Sequence, residues 1–245
     1  MARDDIYALR RDHVGRFEFD DQVADVFPDM IARSVPGYGS ILSVIEQLAV
    51  RFVRERTNVY DLGCSLGAAT KLIRRHAPPS ATIHAIDSSS AMIERFRHAV
   101  EMEVNQSTNA CELKLHLADI CDVEFANASL IVLNFTLQFV AEHHRERLLR
   151  RCADSMVPGG ALLLSEKLAF EDKAAQQLLG ELHLDFKRSC GYSEMEIAQK
   201  RSALEETLIP ETLHQHCERL TAVGFDIVVP WFQCFNFASI LAVRS

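Results

Sequence analysis

The stretch Tyr60-Asp61-Leu62-Gly63-Cys64-Ser65-Leu66-Gly67-Ala68 has the composition of a loop that brings backbone against a ligand. Its glycines let the chain turn and approach closely where a side chain would stand in the way. The spacing is not the Gly-x-Gly-x-x-Gly of a dinucleotide site, and Asp61 stands ahead of the first glycine. A pyrophosphate is held by helix N-terminal N–H groups and gains nothing from an added acid. An acid here suits a cationic ligand instead, such as the ammonium of an amino acid. Asp87 follows 24 residues past Gly63, where a carboxylate can accept hydrogen bonds from both hydroxyls of a ribose. A helix N-cap would use the same residue type, so its position relative to the glycine loop carries the reading. Asp119-Ile120 comes next; the acid or its backbone can meet an adenine amino group while Ile120 packs on the ring.

These residues need a scaffold that sets them along one edge. Apolar residues at three- and four-residue spacing predict helix over Val23–Phe27 and Ile41–Phe52, with a Pro/Gly loop from Val35 to Ser40 between them. Strand-like and helix-like segments then alternate. Asn58–Leu62, Thr82–Ile86, Leu113–Ala118, Ser129–Asn134 and Ala161–Glu166 read as strands. Gly67–Arg75, Ser89–Val100 and His143–Met156 read as helices, and Pro158-Gly159-Gly160 reads as a turn. Such alternation predicts a parallel sheet covered by helices on both faces. A helical insertion spans about Phe170 to Leu208, followed by a helix Pro210–Ala222 capped at Gly224. The final strands, Phe225–Val229 and Phe235–Val243, lie too close for a crossover and must run antiparallel. The expected fold is α/β and Rossmann-like: a mostly parallel seven-stranded sheet with a C-terminal antiparallel hairpin and a helical insertion. On that sheet the three acids stand at three successive strand ends, in the ligand crevice of a doubly wound fold.

With 245 residues, 48% hydrophobic and 24% charged, the chain is of ordinary globular make-up. No Gly/Ser/Pro-rich linker divides it, so one domain is expected over 1–245. Its parts are a helical cap (1–56), a ligand-binding core (57–167), the insertion (168–209), and a closing helix with hairpin (210–245). The net charge of −8 argues against direct nucleic-acid binding. The N-terminus lacks a signal-peptide core, and no run is long enough to span a bilayer. Seven cysteines without a Cys-x-x-Cys pair read as free thiols in a reducing, cytoplasmic setting. No metal is expected; His214-Gln215-His216-Cys217 reads as helix surface.

The loop from Asp61 to Gly67 resembles the Asp-x-Gly-x-Gly-x-Gly loop of S-adenosyl-L-methionine enzymes, with Ser65 in place of the middle glycine. Asn134 closes its strand in Leu133-Asn134-Phe135-Thr136. The Asn-Pro-Pro-Tyr of nucleic-acid amino-methyltransferases is absent there, and a turn residue is the plain alternative. A more specific likeness lies in Val26–Met30, Ser34–Tyr38, Tyr60–Thr70, Leu133–Phe139, Leu164–Lys167, Asp185–Arg188, Gln199–Ser202 and Trp231–Phe237. These segments resemble the bacterial carboxy-S-adenosyl-L-methionine synthases, from about Phe17 to the C-terminus.

The resemblance implies conversion of S-adenosyl-L-methionine and prephenate into carboxy-S-adenosyl-L-methionine, phenylpyruvate and water. The product would pass to a tRNA carboxymethyltransferase acting on a wobble uridine. It also implies a homodimer, and contacts to the S-adenosyl-L-methionine at Tyr38, Gly63, Cys64, Ser65, Asp87, Ser88, Asp119, Ile120, Asn134 and Arg201. Relatives carry Asn where this chain has Ser88. Arg201 and Tyr38 are the expected catalytic pair: guanidinium can grip a new carboxylate through two parallel hydrogen bonds, and Tyr38 would wall the site. Lys167, Arg188 and Lys200 are candidate partners for the prephenate dianion. From residue types alone, Lys200-Arg201 reads more readily as a solvated helix face, and the resemblance reverses that reading. A conventional methyltransferase and a non-catalytic partner of a tRNA-modifying enzyme are the alternatives.

Overall fold

The computed structural model describes residues 2–11, 13–103 and 111–245. Helix α1, Asp21–Ser34, starts where the Asp20 carboxylate accepts the Val23 N–H, and it continues past the internal Pro28. Helix α2, Tyr38–Phe52, follows Gly37 at φ +76° and buries Ile41, Ile45, Leu48 and Phe52. That spacing of four, three and four is one helical face.

The sheet has the order β3-β2-β1-β4-β5-β7-β6. Its members are β1 (Asn58–Leu62), β2 (Thr82–Asp87), β3 (Glu112–Leu117), β4 (Ala128–Asn134), β5 (Met156–Lys167), β6 (Ile227–Cys234) and β7 (Phe237–Val243). The pairs among β1 to β5 are parallel, and β7 runs antiparallel to both β5 and β6. Side-chain alternation splits the core into two layers. Tyr60, Leu62, Ile131, Leu133, Leu162 and Leu164 face α5 (Glu142–Ser155) and α8 (Leu213–Ala222). Val59, Leu130, Val132 and Leu163 face α2 and α3 (Ala68–His76). The segments Ala161–Leu164 and Ser129–Leu133 are fully buried, as continuous apolar runs in a doubly covered sheet must be. Truncating one of these leucines to alanine should cost about 2–5 kcal/mol.

Several boundaries differ from the sequence reading, three of them for clear physical reasons. Strand β6 continues through Pro230 to Cys234, because β6 is the sheet edge and its register shifts between Pro230 and Phe232; an edge bulge needs no donor from proline. Pro158-Gly159-Gly160 lies within β5 as an irregularity of register, with Gly159 at φ +71°. Helix α8 begins only at Leu213, where Thr212 and Gln215 form a capping box. His216 is not on the helix surface either, being 1% exposed. The insertion consists of two helices, α6 (Lys173–Ser189) and α7 (Glu194–Leu204), separated by Gly191 at φ +86°.

Chain order reverses between β1 and its neighbour β4, so their C-terminal ends splay the connecting loops apart and open a crevice. Helix α4, Ser90–Glu103, follows β2 beside it.

Candidate functional site

A cavity of about 840 Å³ occupies that crevice. The size lies in the upper part of the usual ligand-pocket range of roughly 300–1,000 Å³. The glycine loop forms its floor. Gly63 and Gly67 stand at φ +80° and +78°. A Cβ at Gly63 would lie 2.4 Å from Thr136 Oγ1, and one at Gly67 would lie 2.1 Å from the Phe96 ring. Ser65 adopts φ +50°, the left-handed conformation that the missing middle glycine would take without strain.

Four of the loop's N–H groups are used within the protein. Gly63 and Cys64 donate to Ile86 O at 2.8 and 3.0 Å, and Gly67 donates to Cys64 O at 2.8 Å. Ser65 donates to Asp87 Oδ2 at 2.8 Å. A pyrophosphate would find these four donors taken, so the loop suits a ligand that offers hydrogens.

Asp87 lines the cavity, and its other oxygen accepts the Ser89 N–H at 2.9 Å. Burial raises its pKa against the pull of the Ser89, Ser65 and Ser88 N–H groups. Asp87 is not simply a helix cap: the Ser89 hydroxyl accepts from Met92 N and so caps α4 itself. Ser88, Asp119 and Ile120 also line the cavity, with Ile120 rooted in the core. Asn134 lines it too, and its Oδ1 is buried without a hydrogen-bond partner among the described residues. An unpartnered buried acceptor is expensive unless a ligand donates to it. Tyr38 and Cys64 complete this end. Burial, and then the charge of Asp61, raises both the phenol and the thiol, so they face the cavity as neutral donors.

Asp61 does not reach the cavity. It is 2% exposed beneath the loop, where Thr70 Oγ1 donates to it at 2.5 Å, and burial pushes its pKa up to about 6. The expected third strand-end acid therefore props the loop instead of meeting a ligand.

The opposite end is cationic. Lys167 at the close of β5, Lys187 on α6 and Lys200 on α7 all line the cavity with His183. Lys200 Nζ lies 3.1 Å from Asp4 Oδ2 and 3.1 Å from Ser34 Oγ. Burial, then Lys200 and Lys167, lowers Lys187 to about 7. Burial lowers His183 to about 3, and its Nε2 meets Ser34 O at 2.8 Å. Arg188 is elsewhere, exposed and paired with Asp185 and Glu194 at 2.6 and 2.5 Å.

Arg201 stands outside the cavity of its own chain. Successive helical residues differ by about 100°, so α7 can turn only one of Lys200 and Arg201 inward. Lys200 is the buried one, and Arg201 is exposed in a shallow depression with Leu184, Glu194 and Ser202. Its charge still contributes, after burial, to lowering Lys167.

Sequence reasoning passed over the aromatic wall. Phe19 meets Phe17, Phe27 and Phe139 edge-on at 5.1, 6.1 and 5.3 Å, and all four line the cavity. The N-terminal segment bearing Phe17 and Phe19 is tied to α7 through Phe17 N to Ala203 O at 3.0 Å. Phe135, at φ +64°, also lines the site. A bulky residue in that conformation is a genuine outlier. The turn Leu137–Phe139 beside it is held by buried Glu166, which accepts from Leu137 and Gln138 N–H at 2.9 Å each.

A family model described as methyltransferase domain matches residues 59–160. A protein of Shewanella frigidimarina named carboxy-S-adenosyl-L-methionine synthase is 51% identical, over 99% of this chain and 98% of its own. One of Aeromonas salmonicida with the same name is 50% identical, over 100% and 98%. Among solved structures, human N-acetylserotonin methyltransferase in complex with S-adenosylmethionine matches with a TM-score of 0.61 at 18% identity. That match covers 92% of this chain and 55% of the human one. An O-methyltransferase family protein of Burkholderia thailandensis gives 0.62 at 17%, over 92% and 60%. At such identities these two speak for the fold alone, which is the Rossmann-like fold of class I methyltransferases.

Proposed function

The chain belongs to the carboxy-S-adenosyl-L-methionine synthase family, and from that premise we propose that it transfers a carboxyl group from prephenate to the methyl carbon of S-adenosyl-L-methionine. The products would be carboxy-S-adenosyl-L-methionine, phenylpyruvate and water. The observation that carries this over ordinary methyl transfer is identity near 50% along almost the whole chain to proteins of that name.

The residues present fit S-adenosyl-L-methionine. Asn134 offers a buried acceptor without a partner among the described residues, and the N–H groups of Gly63, Cys64, Ser65 and Gly67 are spent, so an ammonium suits this end. Gly63, Cys64, Ser65 and Asn134 would hold the amino-acid portion. Asp87 and Ser88 would take the ribose, with Asp119 and Ile120 at the adenine. When bound, its sulfonium acidifies the attached methyl and makes that carbon a carboxyl acceptor. Tyr38, Phe135 and the Phe17-Phe19-Phe139 wall exclude water, so carbon dioxide released beside the methyl stays there. The hydroxide that leaves the ring of prephenate as it aromatises would take the methyl proton and become the product water. The carbon so freed would capture the carbon dioxide. The protein then contributes confinement and charge placement instead of a dedicated base.

Arg201 is assigned the new carboxylate across the interface of a homodimer. Its exposure on α7 supports a partner's cavity as its destination. The product would supply a tRNA carboxymethyltransferase in the cytoplasm. Among the described residues no helix is long and apolar enough to cross a membrane.

The reading is tested by following phenylpyruvate release from prephenate with and without S-adenosyl-L-methionine. Release that requires both is expected. Methyl transfer to bulk tRNA with no prephenate consumption would instead establish a conventional methyltransferase.

A further inference from the structure

Three lysines converge on one end of the cavity, and only one of them is neutralised. Lys200 is taken by Asp4 and Ser34. Lys167 and Lys187 have no ion-pair partner among the described residues, although both line the cavity and Lys187 is 7% exposed. Unpaired ammonium groups are costly to bury, and protein interiors seldom hold two together without an anion to share.

The fold places the pair with purpose. Asn134 pairs in register with Ser165, so Lys167 stands two residues further along the adjoining strand, roughly 7 Å beyond it. Lys187 lies one helical turn after His183 on the same face of α6. His183 is pinned at Ser34 O and stacked edge-on against Phe237 at 4.8 Å. The lysine end thus begins just past the residue assigned to the amino-acid part of S-adenosyl-L-methionine.

We propose that Lys167 and Lys187 form the subsite for the carboxylate that the second substrate keeps, the 2-oxo-acid group of prephenate that survives in phenylpyruvate. The inference rests on the carboxyl-transfer reading and deepens it. Prephenate carries two carboxylates, and one of them loses its charge on leaving as carbon dioxide. A cation gripping that one would favour the ground state over the transition state. The retained carboxylate keeps its charge throughout, so an ammonium pair on it anchors the ring without opposing bond cleavage.

Phenylpyruvate carries only the retained carboxylate and is the discriminating probe. Titration calorimetry with S-adenosyl-L-homocysteine present, which has no methyl group to carboxylate, should show wild-type protein binding both acids. Lys187→Met and Lys167→Met should each weaken phenylpyruvate and prephenate roughly 10- to 100-fold, while binding of S-adenosyl-L-methionine and the melting curve confirm a folded variant. Variants that lose prephenate but bind phenylpyruvate like wild type overturn the assignment, since the pair would then hold the departing carboxylate. Variants that bind both acids like a competent wild type overturn the subsite alone. Wild-type protein that binds neither acid overturns the subsite and the reading beneath it.

Discussion

The Asp87 carboxylate accepts the Ser65 N–H at 2.8 Å, which ties the acid at the end of β2 to the glycine loop at the end of β1. In the proposed binding mode, ligand contact and loop shape therefore depend on the same side chain. Asp87→Ala should release both and strand the Ser65 N–H, costing about 1–3 kcal/mol of stability. Binding of S-adenosyl-L-methionine should fall at least roughly tenfold. Thermal melts and calorimetry check the two effects, and unchanged binding in a folded variant would remove Asp87 from the site.

Gly63 is held to its residue type from two sides. Its φ of +80° disfavours any side chain, and Thr136 would meet a new Cβ at 2.4 Å. Gly63→Ala should destabilise by about 2 kcal/mol or more. Adding Thr136→Ala should recover the steric part and leave the backbone part. Two effects that simply add in a double-mutant cycle would show that the contact is immaterial.

Much of this arrangement is legible in the residues, and the rest is hidden for definite reasons. Continuous apolar runs such as Ala161–Leu164 mark buried strands, and the close spacing of the last two strands dictates their hairpin. Asp87 and Asp119 stand at strand ends because an acid terminates such a run. Asp61 has the same local signature, yet it turns beneath the loop to Thr70; the direction depends on a helix residue nine positions away. Lys187 and His183 converge with Lys167 only through the packing of α6 on the sheet end, which periodicity does not reveal. Phe17 and Phe19 belong to an irregular segment whose place depends on α7. Phe135 carries no propensity for the left-handed conformation it adopts.

Lys200 and Arg201 should separate cleanly on substitution. Lys200→Met leaves Asp4 buried without its cation, a loss of roughly 3–5 kcal/mol. Arg201→Ala should melt like wild type and yet make no carboxylated product. If Arg201 serves the partner's cavity, mixing Arg201→Ala with Asp87→Ala subunits should restore about a quarter of wild-type turnover through mixed dimers. No restoration would place Arg201 at its own chain's site.

Lys187 predicts a signature in pH. Its folded pKa is depressed to about 7 by burial and by Lys200 of α7 and Lys167 of β5, against Asp4 of the N-terminal segment; His183 on its own helix is neutral. A lysine so placed favours folding in its neutral form, so stability contributed above the unfolded pKa is lost as pH falls toward 7. Compared with Lys187→Met, wild-type stability should decline by up to about 1.4 kcal/mol per pH unit between roughly pH 10 and 7. Denaturant melts of both proteins across that range measure the difference. Parallel curves would mean that Lys187 keeps its charge on folding.

The most direct measurement is mass spectrometry of the small molecules formed when the purified protein meets S-adenosyl-L-methionine and prephenate. A species heavier than S-adenosyl-L-methionine by one carbon dioxide unit, appearing only when both are supplied, is the predicted result. Unmodified S-adenosyl-L-methionine as the sole sulfonium species, with prephenate left intact, would contradict carboxyl transfer.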